Sequence, residues 1–304
     1  MKKIIACKSY DYGFTAGGFI GVPVLKQLLE RDTTSTVIVR LHESQHNKTL
    51  LEALKLQYAD RLAFVTDTDI TEEGTFEHFA NVDTIFHNAA VLPRGEAGLT
   101  QRVNVEGTQA LVDFVKAHPQ ISKLVFCSSI LVDDDTRAEE EYTKSKITGE
   151  TVVDKLGARG VNLRVPRTIG PLQFTNVLST LLLLGKIPCS RFENNHTQLT
   201  AYKVEDVAAW TVDQLTRSEA SDLTEVVNMP TESHYFSYTL SEMAKAAERV
   251  INPQSGQASS DADLPTTPLE KYLARISDSL QLRDETYVGA GCRFRPDADL
   301  SPWV

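Results

Sequence analysis

What constrains this chain most is the rhythm of its first half, where short apolar or β-branched runs recur between longer stretches with helical spacing. The runs are Lys3–Ala6, Thr36–Val39, Leu62–Val65, Thr84–Phe86, Lys123–Phe126 and Val161–Val165. Strands that alternate with helices pair in parallel, because each crossover helix has to cover one face of the sheet. The expected fold class is therefore α/β, a doubly wound parallel sheet. Between the first two runs, Phe19–Arg31 places Ile20, Val24, Leu25, Leu28 and Leu29 on one helical face, with Pro23 tolerated in the first turn. A second helix is expected over Thr108–Ala117, where Ala110, Leu111, Phe114 and Val115 share a face and Pro119 ends it. A third begins near Tyr142 and runs to about Leu156.

After about residue 165 the alternation weakens, and Pro166, Gly170, Pro171, Gly185 and Pro188 break the chain into shorter pieces. The expected organisation is a strand–helix domain over 1–165 and a smaller, mainly substrate-side region over 166–304. Asn252–Asp263, rich in Ser, Gln and Asp, reads as an exposed loop between helices around Ser241–Val250 and Leu269–Ile276.

Composition limits the partners. With 31 basic against 41 acidic side chains the net charge is −10, and no Lys/Arg-rich run concentrates positive potential, so a nucleic-acid partner is not expected. Cys7, Cys127, Cys189 and Cys292 are far apart and without zinc-type spacing, which reads as free thiols in a reducing, cytoplasmic setting with no metal. The longest apolar run, Leu181–Leu184, is too short for a membrane, and the run opening the chain stops at Lys8, short of a secretory leader.

Three groups of residues carry candidate chemistry. The first is the small-residue cluster Gly13–Gly21, which precedes a helix and lets a backbone approach a pyrophosphate at the helix's positive end. With a strand at Lys3–Ala6, residues 7–14 make this turn longer than such a motif needs. The second is Arg40, at the end of the second strand, where a carboxylate would hold a ribose 2′-hydroxyl and an arginine suits a 2′-phosphate. NADP(H) is the expected cofactor. The third is Tyr142-Thr143-Lys144-Ser145-Lys146 with Ser128-Ser129 upstream. Tyr142 and Lys146 project from one helical face, where an ammonium is expected to lower the phenol's pKa into a useful acid/base range while a serine orients a carbonyl. Asp133–Asp135 and Glu139–Glu141 flank this group and read as a solvated loop capping the Tyr142 helix.

In this order the motifs resemble the extended short-chain dehydrogenase/reductase superfamily over nearly the whole chain. Thr15, Gly18, Phe19, Ile20 and Gly21 are similar to its nucleotide-binding turn, Asp69-Ile70 to its adenine-side pair, Asn88-Ala89-Ala90 to the segment beneath the cofactor, and Asn104 to Thr108 to its Asn-x-x-Gly-Thr stretch. Ser129, Tyr142 and Lys146 match its catalytic trio, and Arg164–Arg167, with Pro166 and Arg167, resembles the stretch bordering the nicotinamide. His87–Val91, Asn104–Thr108 and Val165–Gly170 look most like the thioester reductase domains of peptide and polyketide synthetases. Thr71–Phe76 and Leu124–Ser129 also resemble dihydroflavonol-type reductases. The resemblance implies a Rossmann-type dinucleotide domain, a substrate-binding region and NADPH-dependent reduction of a thioester, aldehyde or ketone, either free or carrier-bound. Tyr142 would then be the proton donor, Lys146 its partner and Ser129 the orienting group, and Asn104 would serve in a proton relay or hold helix geometry. Pairing of two copies is a further expectation from the resemblance. A nucleotide-sugar epimerase or dehydratase, or a dinucleotide-binding protein without turnover, shares the same motifs.

Overall fold

Ten strands and eight α-helices are seen in the computed structural model, which describes residues 10–14, 18–41, 48–66, 69–72, 74–91, 98–171, 178–217, 223–230, 235–253 and 267–281. Seven strands form one parallel sheet: β1 (Tyr10–Phe14), β2 (Val37–Arg40), β3 (Leu62–Val65), β4 (Val82–His87), β5 (Lys123–Ser129), β6 (Gly160–Val165) and β9 (Glu225–Asn228). Their order across the sheet is β3-β2-β1-β4-β5-β6-β9. The chain thus builds outward from β1 to β3, then returns to the other side of β1 and builds outward again. The direction reverses between β1 and β4, and the crevice at the carboxyl ends of those strands is where such sheets take ligands.

The first described strand is not among the expected runs. Tyr10–Phe14 holds the central place, with Tyr12 opposite Val37 on one side and Thr84 on the other. Lys3–Ala6 lies outside the described residues. Asp11 and Gly13 make this segment read as a turn, yet Tyr10, Tyr12 and Phe14 have high strand propensity. The segment that joins Phe14 to α1 at Gly21 is therefore 15–20, of which 15–17 lie outside the described residues.

Side chains alternate across the sheet, so each strand feeds two cores. Val37, Val39, Phe86, Val125 and Leu163 face one side, which is covered by α1 (Gly21–Arg31), α2 (Lys48–Gln57) and α6 (Val204–Thr216). Ile38, Ile85, Leu124 and Phe126 face the other, under α3 (Gly107–Ala117) and α4 (Glu141–Val153). Leu25 and Leu28 of α1 and Leu111 of α3 are at most 1% exposed, and each such side chain contributes about 1.5–3 kcal/mol by leaving water. A π-helical stretch, Gln101–Glu106, precedes α3; such bulges recur at functional sites.

A second sheet, ordered β10-β8-β7, is built from β7 (Thr168–Ile169), β8 (Gln198–Lys203) and β10 (Tyr235–Thr239). It packs with α5 (Leu178–Leu183), α7 (Leu240–Ile251) and α8 (Pro268–Gln281), α7 starting at a capping box between Thr239 and Glu242. Residues 166–304 also return to the larger layer. Glu225–Asn228 adds its seventh strand and α6 lies along α1, where Gln27 donates to the Glu205 carbonyl at 2.8 Å.

Candidate active site

The carboxyl end of β5 and the first turns of α4 meet at the core of the candidate site. Lys146 is 3% exposed, and its Nζ donates to the Cys127 carbonyl of β5 at 2.7 Å. The same ammonium lies 4.8 Å from the Phe126 ring centroid and 5.7 Å from that of Tyr142, within the range where a cation is attracted to an aromatic face. Ser129, two residues beyond Cys127, ends the strand, and its hydroxyl accepts from the Leu131 amide at 3.3 Å. The three expected residues thus converge on one strand end and one helix face.

The electrostatics differ from expectation. Burial, with the neighbouring Cys127 thiol adding to it, pushes the Tyr142 phenol above its ordinary range. Lys146 is itself pushed down by burial, while Cys127 and Glu150 favour its charged form. The expected lowering of Tyr142 by Lys146 is not found. The ammonium spends its hydrogen bond on a backbone carbonyl and lies against the ring, and desolvation of the phenolate outweighs its field.

Around this centre the supporting contacts are dense. Asn104 receives the Val91 amide at 2.8 Å, donates to the Val91 carbonyl at 2.9 Å and donates to Ser145 Oγ at 3.0 Å. Ser145 in turn donates to the Tyr142 carbonyl at 2.7 Å. Both amide hydrogens of Asn104 are therefore committed to protein groups, and of the two expected roles the structure favours holding helix geometry. His87 is fully buried, with Nε2 at 2.8 Å from Thr108 Oγ1, and Thr108 donates to the Asn104 carbonyl at 2.7 Å. Because the threonine proton is used there, His87 carries its hydrogen on Nε2. Burial holds its pKa down to about 3, with Lys146 and Arg40 pushing the same way, so it is a neutral structural group.

A network that sequence reasoning missed lies one turn further along α4. Ser128 Oγ donates to Glu150 Oε1 at 2.5 Å, and Arg164 of β6 grips the same carboxylate through Nε at 3.0 Å and Nη2 at 2.7 Å. The remaining arm of Arg164 pairs with Asp133. The readable signal was the spacing: Glu150 follows Lys146 by one helical turn. Three other acids of the loop are also matched locally. Glu139 pairs with Lys144 and Glu140 with Arg137, while Asp134 accepts from the Thr136 amide.

On the dinucleotide side, Gly18, Phe19 and Ile20 form a half-buried turn into α1, and Thr15 lies outside the described residues. Helix α1 begins without a side-chain cap and without an acid in its first turn, so its positive end suits a phosphate, although the Val22 amide already donates to the Gly18 carbonyl at 3.0 Å and Pro23 has none to offer. Arg40 ends β2 and is 3% exposed. Its Nε donates to Thr75 Oγ1 at 3.0 Å, its guanidinium lies 5.9 Å from the Phe76 ring centroid, and its Nη2 has no partner among the described residues. Burial lowers its pKa to about 10 against the pull of Asp69 and Glu72, leaving it charged. Asp69 accepts from the Thr71 amide and hydroxyl, both at 2.8 Å, and buried Ile70 packs on Gly107 at the start of α3. Asn88 and Ala89 are half-buried beyond β4, and Ala90 is exposed. After β6, Pro166 is half-buried and its carbonyl accepts from Thr168 at 2.9 Å, while Arg167 is exposed, close enough to Tyr238 to act on its phenol. These groups fit a nicotinamide dinucleotide: an uncapped helix start, a buried cation with a spare donor, and polar groups along the strand ends.

Elsewhere, a cavity of about 480 Å³ opens between β10, α7 and α8, lined among others by Lys203, Phe236, Tyr238 and Lys245 and by none of Ser129, Tyr142 and Lys146. Cys127 and Cys189 are free thiols. Among the described residues there is no group of side chains suited to a metal ion, and no helix is long and apolar enough to cross a membrane.

Solved structures of similar architecture include a dehydratase, an epimerase and a thiolation-reductase di-domain. The dTDP-glucose 4,6-dehydratase of Bacillus anthracis in complex with NAD matches with a TM-score of 0.68 at 18% identity, over 90% of this chain and 97% of that one. The UDP-glucuronic acid 4-epimerase of Bacillus cereus in complex with NAD gives 0.70 at 18% identity, over 89% and 96%. A thiolation-reductase di-domain from an archaeal non-ribosomal peptide synthetase gives 0.63 at 18% identity, over 90% of each chain. At these identities the likeness is one of fold. No curated protein sequence matches the chain. Residues 16–229 match the NAD dependent epimerase/dehydratase family, a span that runs from the glycine turn through the Tyr142 helix to β9. The chain belongs to that family, and with it to the extended short-chain dehydrogenases/reductases.

Proposed function

We propose that the protein is an NADPH-dependent oxidoreductase that reduces a carbonyl, in a thioester, aldehyde or ketone. The observation that carries this reading is the half-buried Tyr142 phenol at the start of α4, with the buried Lys146 ammonium 5.7 Å from its ring centroid and bound to the end of β5. The phenol carries its proton at neutral pH, and reduction needs a proton donor where the carbonyl oxygen gains charge; because burial makes this phenol a weaker donor, Lys146 is needed to steady the phenolate that forms. Ser129 would hold that oxygen by a hydrogen bond, and Tyr142 would give it the proton from Oη. Lys146 steadies the charge left on the phenol and would hold the nicotinamide ribose, beside Asn88, Ala89, Ala90, Asn104, Pro166 and Arg167. Gly18, Phe19 and Ile20 would take the pyrophosphate, with Thr15 at the start of the same turn. Asp69 and Ile70 would border the adenine, and Arg40, with its spare donor, a 2′-phosphate. When bound, the dinucleotide supplies the hydride that the protein's own side chains cannot. In this reading residues 1–165 hold the cofactor and 166–304 mainly the substrate.

The family match itself favours a second reading, epimerisation or dehydration of a nucleotide sugar. The two differ in stoichiometry. Reduction consumes one dinucleotide per product, whereas epimerisation returns it unchanged. Purified protein is titrated with NADPH and NADH by nucleotide fluorescence and melting temperature, since a ligand of the folded state raises Tm, then offered thioesters, aldehydes, ketones and nucleotide sugars. NADPH preference with stoichiometric oxidation supports the proposal. Conversion of a nucleotide sugar without net oxidation overturns it.

A further inference from the structure

Two consecutive residues of β5 are stitched to two residues one turn apart on α4. The Cys127 carbonyl accepts from Lys146 Nζ at 2.7 Å, and the Ser128 hydroxyl donates to Glu150 Oε1 at 2.5 Å. Between the stitches Gly149 brings the helix so near the strand that a Cβ there would sit 2.6 Å from Phe126 Cζ. Glu150 is 7% exposed and doubly bound by Arg164, whose third arm reaches Asp133 in the segment that follows Ser129. One carboxylate thereby ties together α4, β5, β6 and the loop beyond the strand end.

We infer that Glu150 is a positioning residue for the site, fixing Lys146 beneath Tyr142 and serving as the buried counter-charge of its ammonium, with Arg164 competing for the same carboxylate. The catalytic meaning of this inference rests on the reading of Tyr142 and Lys146 given above. Lys146 needs such a partner because a fully desolvated ammonium tends to lose its proton, and a neutral amine would neither steady a phenolate nor lie favourably on two aromatic faces. Glu150 is one of the two groups that favour its charged form. The other charged or titratable groups facing the cluster are Cys127 on β5, His87 on β4, Arg164 on β6, Tyr142 on α4, and Asp133 and Asp154 at the ends of the adjoining segments.

The test reads Lys146 directly. Full-length protein labelled with ε-13C lysine is titrated by NMR, the Lys146 signal being assigned by its loss in Lys146→Met, and the same series is run for Glu150→Gln, Glu150→Asp and Arg164→Gln. Gln keeps the shape and can still accept from Ser128, so Glu150→Gln is expected to fold. The Lys146 midpoint should drop by about one unit or more in that variant, and Glu150→Asp should restore most of it. Arg164→Gln, which removes a competing cation, should move the midpoint the opposite way, and it decides the question if Glu150→Gln does not fold. In turnover, the alkaline limb of the kcat profile should shift with the Lys146 midpoint while the acid limb stays. An unchanged midpoint in Glu150→Gln, or a shift of the same sign in Arg164→Gln, overturns the inference. Because the NMR titration requires no substrate or cofactor, a chain that reduces no carbonyl refutes the proposed activity without touching this result.

Discussion

Replacing Gly149 by alanine should destabilise the protein, although the same change in an ordinary helix stabilises it. Alanine inside a helix is worth about 0.5–1 kcal/mol over glycine. Here the new methyl would meet Phe126 Cζ at 2.6 Å and Cε1 at 3.0 Å, where relaxed carbon contacts need about 3.5–4.0 Å. Something must move by about an ångström. Phe126 is 1% exposed, lies 5.5 Å from the His87 ring and carries the Lys146 ammonium on its other contacts, so it has no room to retreat. Overpacking of this kind costs about 1–3 kcal/mol, and with no room for Phe126 to retreat the upper half of that range applies, about 2–3 kcal/mol, which leaves a net loss of about 1–2 kcal/mol. At about 2–4 °C per kcal/mol for a large domain, Tm should fall by roughly 2–8 °C in a thermal melt followed by circular dichroism. Displacing α4 also lifts Lys146 from the Cys127 carbonyl, so turnover should fall further than stability alone explains. Thr148→Ala, at an exposed position on the same helix, is the control and should leave Tm unchanged or slightly raised. A Gly149→Ala protein that melts at or above the wild type would refute the reasoning.

Tyr142→Phe should abolish turnover while leaving NADPH affinity within a few-fold, as read by nucleotide fluorescence; an active variant would remove Tyr142 from the chemistry. Arg40→Ala should weaken NADPH by about tenfold or more and NADH far less, because a charge-assisted hydrogen bond contributes about 1.5–3 kcal/mol; equal weakening of both would detach Arg40 from the 2′-phosphate. His87 gives a pH dependence. Its folded pKa is about 3 and its unfolded value about 6.5, so between these limits the unfolded chain binds the extra proton. Stability that is full above about pH 6.5 is therefore lost as pH falls, by up to about 1.4 kcal/mol per unit. Denaturant melts at pH 7, 6 and 5 should show a shallower slope in His87→Gln than in the wild type.

Much of the sheet was readable because its strands are short runs rich in apolar and β-branched residues, as at Leu62–Val65 and, around Asn162 and Arg164, at Val161–Val165. Tyr10–Phe14 escaped notice since Asp11 and Gly13 break that pattern, although the strand is central. The small sheet was hidden for a related reason: β8 and β10 alternate exposed and covered residues, and neither presents a continuous apolar run. Helix α2, with only modest amphipathic character, was not picked out either. At the site, the spacing of Tyr142 and Lys146 showed that they share a face but not that Lys146 would be buried and the Tyr142 phenol desolvated. Burial reversed the expected direction of the Tyr142 shift. Glu150 and Arg164 are 14 residues apart on different elements, so only the fold could reveal that they meet.

The seventh strand has a consequence for how the chain is made. Val161, Leu163 and Val165 of β6 are already in place when residue 165 leaves the ribosome, but β9, which closes that edge, arrives some 60 residues later, at Glu225–Asn228. During that interval an apolar strand presents unpaired amides and carbonyls, the condition under which nascent chains cross-pair with their neighbours. A fragment cut after residue 165 would keep that edge open permanently. Residues 1–165 thus carry six of the seven described strands of the large sheet, and the edge they leave open is covered only when β9 pairs with β6.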